Sequence, residues 1–334
     1  MGEENLLEVR HLKKWFRMGS SRMEKATASY LHACDDVSFD IHKGEIFGII
    51  GESGSGKSTI GKCILKLQDS DSGRILFDGT DIFDYSRRQM KPLRRNMQIV
   101  FQNPLASFNP KKRIGSVLSE YGRFLKMDSA ACDAKIEQLL DYIRLPEDVL
   151  TRLPKELSGG QLQRLAIARA MMSDPKFIVA DEPVSALDVS VQAQVLNIMI
   201  DLKEKEGLTM LFISHDLNVV RHLCDRVAVV YLGVIVETGS IEEVYRHPQH
   251  PYTKALISAK PKEHPLQKKE QILLQGDIPT AVDVPEGCRF ASRCFRFKEG
   301  LCSNRTPRLK DLGGGHLCAC HHPLEAEEAA AADA

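Results

Sequence analysis

The chain has 334 residues, of which 43% are hydrophobic, and equal numbers of basic (Lys, Arg) and acidic (Asp, Glu) residues, 45 of each. This composition supports a substantial core, which excludes wholesale disorder, and its balanced charge gives no indication of nucleic-acid binding. No run of about 18 apolar residues is present, and the acidic start of the chain lacks the apolar core of a signal peptide. We therefore expect a cytosolic protein, which can still dock on a membrane protein.

The first hundred residues predict strands separated by polar connectors. Alternating or continuous apolar residues of strand length occur at 6–16, 34–41, 45–50, 73–78 and 97–102. The polar residues 17–33 are predicted to form a loop, and the basic residues 87–95 are predicted to form a connector.

The glycine-rich residues 51–58 organise the chain. They read GESGSGKS and lie between the strand 45–50 and a helix predicted from residue 59, which is the context of a phosphate-binding loop of the form GxxxxGK(S/T). Glycines let backbone N–H groups turn toward an anion, and the helix N-terminus adds a partial positive charge. Lys57 is predicted to reach the β- and γ-phosphates, and the Ser58 hydroxyl to hold Mg²⁺. The predicted nucleotide-binding residues of this loop are Gly51, Ser53, Gly54, Gly56, Lys57, Ser58 and Thr59.

After residue 103, helices alternate with strands. Helical periodicity covers 114–156, and further helices are predicted at 162–172 and 189–206. Strands are predicted at 177–180, 211–214 and 227–238. This alternation predicts an α/β fold with a mainly parallel sheet that is covered on both faces.

Polar side chains come directly after three of the buried strands. They are Gln102, the pair Asp181 and Glu182, and His215. The carboxyl ends of parallel strands form the edge where open α/β sheets bind ligands. Asp181 is placed to hold Mg²⁺ through water, and Glu182 to polarise a water for attack on a γ-phosphate. Taken singly, each of these residues could instead be a helix-capping acid or a solvated polar group.

The sequence LSGGQ at 157–161 links these motifs to a family. Together with the phosphate loop, Gln102, the strand ending at Glu182, the SALD sequence at 185–188 and His215, it resembles the ATP-binding subunit of an ABC transporter. The resemblance covers about residues 6–245. It implies a P-loop nucleotide-binding domain in which N-terminal antiparallel strands and a helical subdomain, at about 103–172, accompany the mainly parallel sheet.

The resemblance also implies a mechanism in which two subunits close head to tail around ATP. Ser158, Gly160 and Gln161 would bind the nucleotide that the partner's phosphate loop holds. The catalytic residues would be Lys57, Gln102, Glu182 and His215. Of these, Glu182 would be the general base, His215 would contact the γ-phosphate, and Gln102 would sense both Mg²⁺ and the membrane partner. Ser58, Gln102 and Asp181 would hold the Mg²⁺, and Asp188 would communicate across the dimer.

An aromatic side chain upstream of the phosphate loop should stack on the adenine ring, by the same resemblance. Phe16 fits the spacing of the family best, and Trp15 is the alternative. Both could instead be core aromatics.

Three further stretches narrow the resemblance to the peptide-importer branch. They are VFQNPLASFNP at 100–110, ADEPVSALDVSVQAQVLN at 180–197 and HPQHPYTKAL at 247–256. These resemble the F-type ATPase of oligopeptide and dipeptide permeases. In that branch two different ATPase subunits pair beneath two membrane subunits, which an extracytoplasmic substrate-binding protein supplies. Nickel and some glycans use close relatives, so a non-peptide cargo is an alternative.

Five of the nine cysteines lie between residues 288 and 320. In a reducing cytosol such crowding favours a metal over disulfides. Cys288, Cys294, Cys302 and Cys320 match a pattern of the same branch, which implies a 4Fe–4S cluster, with zinc or metal-free thiols as alternatives. Cys318 is an additional cysteine, so its neighbour Cys320 is our choice of fourth ligand. We expect such a cluster to be a structural staple of a small domain.

The sequence thus predicts an ATPase domain at 1–245, a Cys-rich C-terminal domain at 246–324 and a disordered tail at 325–334. We expect an ATP-hydrolysing motor of a peptide importer, held peripherally at the cytoplasmic face of the cell membrane. A soluble, non-transport ABC ATPase or a phosphoryl transferase is the alternative. Both are disfavoured, because the chain has one cassette, no coiled coil, no basic patch and no acceptor-binding insertion.

Overall fold

A computed structural model describes residues 4–18, 29–259, 271–274, 276, 279–282, 284 and 286–324. The tail expected at 325–334 and most of the loop expected at 17–33 lie outside these residues. The chain divides into two compact units, each of which draws on several separate segments. Within the described ranges, none of the helices is both long enough and apolar enough to cross a membrane.

The strands and helices occur in the following chain order. The strands are β1 (Asn5–Arg17), β2 (Tyr30–His42), β3 (Ile46–Ile50), β4 (Ser72–Phe77), β5 (Thr80–Asp81), β6 (Met97–Val100), β7 (Phe177–Asp181), β8 (Thr209–Ser214), β9 (Arg226–Tyr231), β10 (Val234–Ser240), β11 (Lys310–Asp311) and β12 (Leu317–Cys318). The helices are α1 (Lys57–Ile64), α2 (Arg87–Leu93), α3 (Ile114–Phe124), α4 (Ser129–Tyr142), α5 (Gly159–Met171), α6 (Val189–Glu206), α7 (Leu217–Leu223), α8 (Ile241–Arg246) and α9 (Pro251–Ser258).

The first unit comprises Met1–Leu6, Ile41–Ile46 and Asp84–Ser214. Its strands β6, β7 and β8 are parallel, and β7 pairs with both of the others. Every residue of β7 and β8 is buried, which explains their continuous apolar sequence. The same unit contains α2 to α6, and the polar residues after β6 and β7 extend from this buried layer.

The second unit comprises Leu7–Asp40, Phe47–Phe83 and His215–Ala334. One antiparallel sheet in this unit has the strand order β2-β1-β4-β5. In another sheet, β3 pairs in parallel with β9. Beyond β9 the strand order is β10, β12 and β11, and each of these strands is antiparallel to the one before it. The cysteine-rich end of the chain therefore shares a sheet with the strand that precedes the phosphate loop.

Two predictions about the N-terminal third of the chain were wrong. The basic residues expected as a connector form the helix α2, because Ser86 and Gln89 make a reciprocal capping box at its start. The strand expected from Cys34 begins at Tyr30, because Leu31 bridges Val282 and the His32 N–H donates to the Ala281 carbonyl at 2.7 Å. Pairing with residues so distant in the chain leaves no local sequence signal.

The helical periodicity predicted at 114–156 is confirmed for α3 and α4. Ile136, Leu139, Leu140 and Ile143, which fall on one helical face, are all buried. The end of this stretch forms two short 3₁₀ turns, Glu147–Thr151 and Pro154–Glu156. Pro146 and Pro154 lack a backbone N–H and so end regular α-helix there.

Candidate functional site

The phosphate loop lies in the second unit, between β3 and α1. The Lys57 side chain is buried, and its ammonium donates hydrogen bonds to the carbonyl oxygens of Gly51 and Glu52, both at 2.8 Å. Ser53 and Gly54, at the tip of the loop, are exposed. The lysine is thus held on the inside of the loop, as expected for a group that binds β- and γ-phosphates.

Gly56 allows the loop to turn into α1. Its φ angle is 100°, and a Cβ atom there would lie 1.8 Å from the carbonyl oxygen of Ala33. Both its backbone conformation and the lack of space therefore exclude any other residue. Because Gly56 is the N-cap of α1 and has no side chain, the helix start that contains Ser58 and Thr59 suits an anionic ligand.

Asp181 and Glu182 occupy the end of β7 in the first unit. Asp181 is the last residue of the strand and is buried, whereas Glu182 is half-buried. The backbone of Glu182 has a φ angle of 47°, and its N–H donates to the Ile213 carbonyl at 2.9 Å. A left-handed conformation is costly for a residue with a side chain, by about 1–3 kcal/mol, and such strain concentrates at functional sites. At Glu182 this left-handed conformation ends the alternation of side-chain directions along β7.

Gln102 contacts the predicted general base directly. Its Nε2 lies 3.1 Å from Oε2 of Glu182 and 3.3 Å from Oγ of Ser185. The amide therefore orients the Glu182 carboxylate while leaving that carboxylate able to accept a proton. Gln102 and Glu182 were predicted separately from two strands, and the structure brings them together.

The LSGGQ sequence forms the start of α5. Ser158 is its exposed N-cap, and Ser158 and Gln161 satisfy each other's backbone N–H groups in a capping box. At Gly160, a Cβ atom would lie 2.2 Å from a methyl group of Val191 in α6. The two glycines keep this helix start narrow, so that its N–H groups can approach an anion closely.

His215 and Asp188 occupy the starts of helices. His215 directly follows β8 and is exposed, and α7 begins two residues later, capped by the Asp216 side chain. Asp188 is the exposed N-cap of the 18-residue helix α6. Both positions agree with the predicted boundaries of the strands and helices.

The two candidate adenine-stacking residues lie at the end of β1 and have different neighbours. The Trp15 ring stacks on His32, with ring centroids 4.1 Å apart, and is 37% exposed. The Phe16 ring is half-buried and lies 5.3 Å from the ammonium of Lys14. Neither side chain belongs to the fully buried core, and the choice between them stays a prediction.

None of the five cysteines of the C-terminal segment, all of which the structure describes, forms a disulfide bond. Burial, together with the neighbouring thiols Cys302 and Cys320, raises the pKa of Cys288 to about 12 and that of Cys294 to about 11. Among the described residues, no three His, Cys, Asp or Glu side chains are grouped so as to hold a metal ion. The predicted metal site therefore stays a prediction.

Sequence reasoning missed several residues that surround the phosphate loop. Arg293 forms an ion pair with Glu52, and the Tyr252 hydroxyl accepts a hydrogen bond from the Glu52 N–H. Tyr252 lies in the HPQHPYTKAL stretch, which indicated the branch but not this contact.

Glu237 is fully buried in β10 and pairs with His316 at 2.7 Å. A glutamate inside the apolar strand VIVETG was the available sequence signal for this buried pair.

Two family models match separate parts of the chain. Residues 34–185 match the model described as ABC transporter. Residues 236–302 match the model described as oligopeptide/dipeptide transporter, C-terminal region.

Curated relatives align over nearly the whole chain. The oligopeptide transport ATP-binding protein AppF of Bacillus subtilis is 44% identical over 96% of this chain and 98% of its own length. The dipeptide transport ATP-binding protein DppF of Haemophilus influenzae is 42% identical, over 95% of this chain and 96% of its own.

Solved structures share the fold of the nucleotide-binding part. A dimeric ATP-binding cassette in a post-hydrolysis state, bound to ADP and Pi, is 28% identical and has a TM-score of 0.63, covering 70% of this chain and 98% of its own. The cbiO1 protein of Clostridium perfringens, part of an ABC transporter complex, has the same TM-score at 27% identity, covering 73% and 92%.

The fold, the phosphate loop and the LSGGQ helix define an ATP-hydrolysing subunit of the ABC transporter class. These comparisons confirm the resemblance predicted from the motifs. The chain belongs to the oligopeptide/dipeptide transporter family of ABC ATPases, because the C-terminal model and the relatives that match nearly its whole length agree.

Proposed function

We propose that this chain hydrolyses ATP to drive the import of dipeptides or oligopeptides. The observation that carries the proposal is the C-terminal match at 236–302, in a chain 42–44% identical to relatives named for oligopeptide and dipeptide transport. The same motor working on nickel or another non-peptide solute is the alternative.

Different residues of the chain carry out phosphate binding, Mg²⁺ binding and proton transfer. Lys57 binds the β- and γ-phosphates, and Ser58, Gln102 and Asp181 would hold Mg²⁺, which would neutralise phosphate charge. Glu182 accepts a proton from the attacking water, and Gln102 keeps its carboxylate oriented through the 3.1 Å contact.

Further residues complete the arrangement. His215 contacts the γ-phosphate, and Phe16, or alternatively Trp15, stacks on adenine. Ser158, Gly160 and Gln161 bind the nucleotide of a partner subunit through the start of α5.

The partners of the chain follow from this arrangement. We place it in a head-to-tail pair with a second, different ATPase subunit, beneath two transmembrane permease subunits at the cytoplasmic face of the cell membrane. An extracytoplasmic binding protein supplies the cargo. The dimeric cassette with ADP and Pi supports the pairing, and the names of the relatives support the transport role. The balanced charge of the chain gives no reason to add nucleic acid.

Uptake by whole cells tests the cargo. Cells with the complete transporter should take up labelled dipeptides or oligopeptides, and Lys57→Ala in this chain should abolish uptake. Lys62→Ala, an exposed lysine later in α1, is the matched control and should have little effect. Uptake of nickel but not of peptides would contradict the peptide assignment.

For the cysteine-rich segment we propose a domain, at 246–324, that holds a 4Fe–4S cluster through Cys288, Cys294, Cys302 and Cys320. Burial and the other three thiols together raise the pKa of Cys288, so thiolates here repel one another and suit a cationic metal group. Cys318 is fully buried in β12, which pairs with β10, and this supports Cys320 as the fourth ligand. The cluster would serve as a staple.

Anaerobic purification of the full-length protein tests the cluster. About four irons and four sulfides per chain are expected for a 4Fe–4S group, with loss of both in Cys320→Ser. Cys318→Ser should keep them. Stoichiometric zinc, or no metal, would contradict the cluster.

A further inference from the structure

Arg293, in the cysteine-rich segment, forms an ion pair with Glu52 of the phosphate loop. Nη1 of Arg293 lies 2.8 Å from Oε2 of Glu52, and Nη2 lies 3.2 Å from Oε1. The two side chains are only 7% and 20% exposed. A bidentate pair with this geometry, largely shielded from water, is among the stronger contacts of a protein and fixes direction as well as distance.

Aromatic residues hold the arginine in place. The Arg293 guanidinium lies 6.0 Å from the centre of the Tyr231 ring, and Nη1 lies 3.5 Å from the Tyr231 hydroxyl. Tyr231, Tyr252 and Phe290 pack on one another with centroids 4.7–5.4 Å apart, and all three are fully buried. The guanidinium is therefore placed by packing before any ligand binds.

Glu52 joins this cluster to the phosphate-binding lysine. Its N–H donates to the Tyr252 hydroxyl at 2.9 Å, its carboxylate pairs with Arg293, and its carbonyl accepts from Lys57 at 2.8 Å. Glu52 is thus held at three of its groups: the backbone N–H, the carboxylate and the backbone carbonyl. The next two residues, Ser53 and Gly54, are exposed, and Gly54 has a φ angle of 79°.

A glycine-rich loop loses conformational entropy when it closes on a phosphate. Contacts that already hold one end of the loop reduce that loss, so binding is tighter. Without Arg293, Glu52 would be a partly buried carboxylate with its strongest partner removed. The loop would then sample other conformations to hydrate that charge.

We propose that Arg293 is a positioning residue of the ATP site, which acts through Glu52 on Lys57 and makes the C-terminal segment part of the nucleotide-binding apparatus. The proposal goes beyond peptide import. It requires only that the phosphate loop binds ATP, and it is independent of the cargo and of any metal at the cysteines.

Arg289 is a matched control in the same segment. It pairs with Asp35 and donates to the Leu232 carbonyl, and both members of the pair are 16% exposed or less. Loss of Arg289 therefore removes a comparably buried ion pair of the C-terminal segment whose link to the phosphate loop is indirect, through the Gly233 N–H that donates to the Ser55 carbonyl at 2.9 Å. It separates general loosening of the segment from a specific effect on ATP.

The test is equilibrium binding of ATP, with Mg²⁺, to the full-length chain, together with thermal unfolding of each variant. We expect Arg293→Ala to weaken ATP binding by about tenfold, and Arg293→Lys to restore part of the loss, because a lysine keeps the charge but not the bidentate geometry. Arg289→Ala should lower the melting temperature at least as much yet change ATP affinity less than about twofold.

A double-mutant cycle sharpens the result. Glu52→Ala should also weaken ATP binding, and adding Arg293→Ala to it should cost little more, because both changes break one interaction. Unchanged affinity in Arg293→Ala, or equal losses in Arg293→Ala and Arg289→Ala, would overturn the proposal. Lys57→Ala is the reference for loss of binding. A wild-type chain that does not bind ATP would refute the ATPase assignment, and this inference with it, whereas the variant results above overturn the inference alone.

Discussion

Glu182, the proposed general base, has its backbone and its carboxylate held in place by separate contacts. Its backbone is held at a φ angle of 47°, while its N–H is bonded to the neighbouring strand and its carboxylate to Gln102. The backbone conformation determines where the Glu182 side chain leaves the main chain, and the hydrogen bond from the Gln102 amide determines the direction of the carboxylate. A base that is oriented in advance needs little reorganisation to accept the proton of a water.

We predict that Glu182→Gln reduces ATP hydrolysis by at least about 100-fold, because an amide cannot accept the proton. Since the amide has nearly the same shape, ATP binding should persist and hold the proposed dimer closed. Phosphate release and gel filtration with ATP measure the two effects. Hydrolysis at the wild-type rate would refute the assignment of the base.

The adenine contact can be tested at the same scale. Phe16→Ala should raise the Kd for ATP by about fivefold, the equivalent of roughly 1 kcal/mol of lost stacking. Trp15→Ala is the matched variant and should have the smaller effect, because the Trp15 ring already stacks on His32. The reverse order of the two effects would assign the stacking to Trp15.

At the scale of an element, α9 shows how a helix start can depend on one buried imidazole. His250 is the N-cap, and its Nδ1 accepts a hydrogen bond from the Tyr252 N–H at 3.1 Å. Burial lowers the pKa of His250 from 6.5 to about 3. The neutral form is therefore required in the folded protein, and it is the form with an acceptor nitrogen.

This pKa predicts a loss of stability in acid. Between about pH 6.5 and 3 the unfolded chain binds a proton at this position and the folded chain does not, so stability falls as the pH falls. The contribution is about 1.4 kcal/mol for each pH unit well below 6.5. His250→Asn keeps a capping side chain but does not titrate. The free energy of unfolding, measured in urea from pH 5 to 8, should change less steeply with pH in this variant than in the wild type. An equal dependence on pH would contradict the explanation.

At the scale of the whole molecule, residues far apart in sequence cooperate within each unit. In the second unit, the sheet that carries the phosphate loop extends through β9 and β10 to β12 of the cysteine-rich segment. Glu237 of β10 is bonded there to His316 and to the N–H groups of Gln249 and His250. The C-terminal segment is therefore attached by backbone pairing and by buried hydrogen bonds to Glu237.

The head-to-tail pairing is a prediction about the assembly. Ser158→Arg places a long cation at the exposed start of α5, where we expect the partner's nucleotide. In the complex with the second subunit, hydrolysis at the partner's site should fall by at least about tenfold, while ATP binding to this chain's own loop is unchanged. Ser158→Ala loses the cap, worth about 1 kcal/mol, and the hydroxyl without adding a cation, so it measures how much of the loss comes from the missing serine rather than from the arginine. Unchanged activity at the partner's site would contradict the head-to-tail arrangement.

Strands and helices with local signals could be predicted from the amino-acid sequence alone. Continuous apolar runs identified β7 and β8, and the spacing of Ile136, Leu139 and Ile143 identified a helical face. The phosphate loop and LSGGQ were recognisable because binding phosphate requires glycines and a helix start in a fixed order. These features depend on neighbours in the chain.

The contacts that join distant residues follow from the tertiary structure and not from any local pattern. The start of β2 depends on Leu31 meeting Val282, the direction of the Glu182 carboxylate on Gln102, and the hold on the phosphate loop on Arg293. A side chain's partner across tens or hundreds of residues follows from how strands pair and cores pack, and no local pattern encodes it. The motif thus located the phosphate loop, while the fold determined which residues hold it in place.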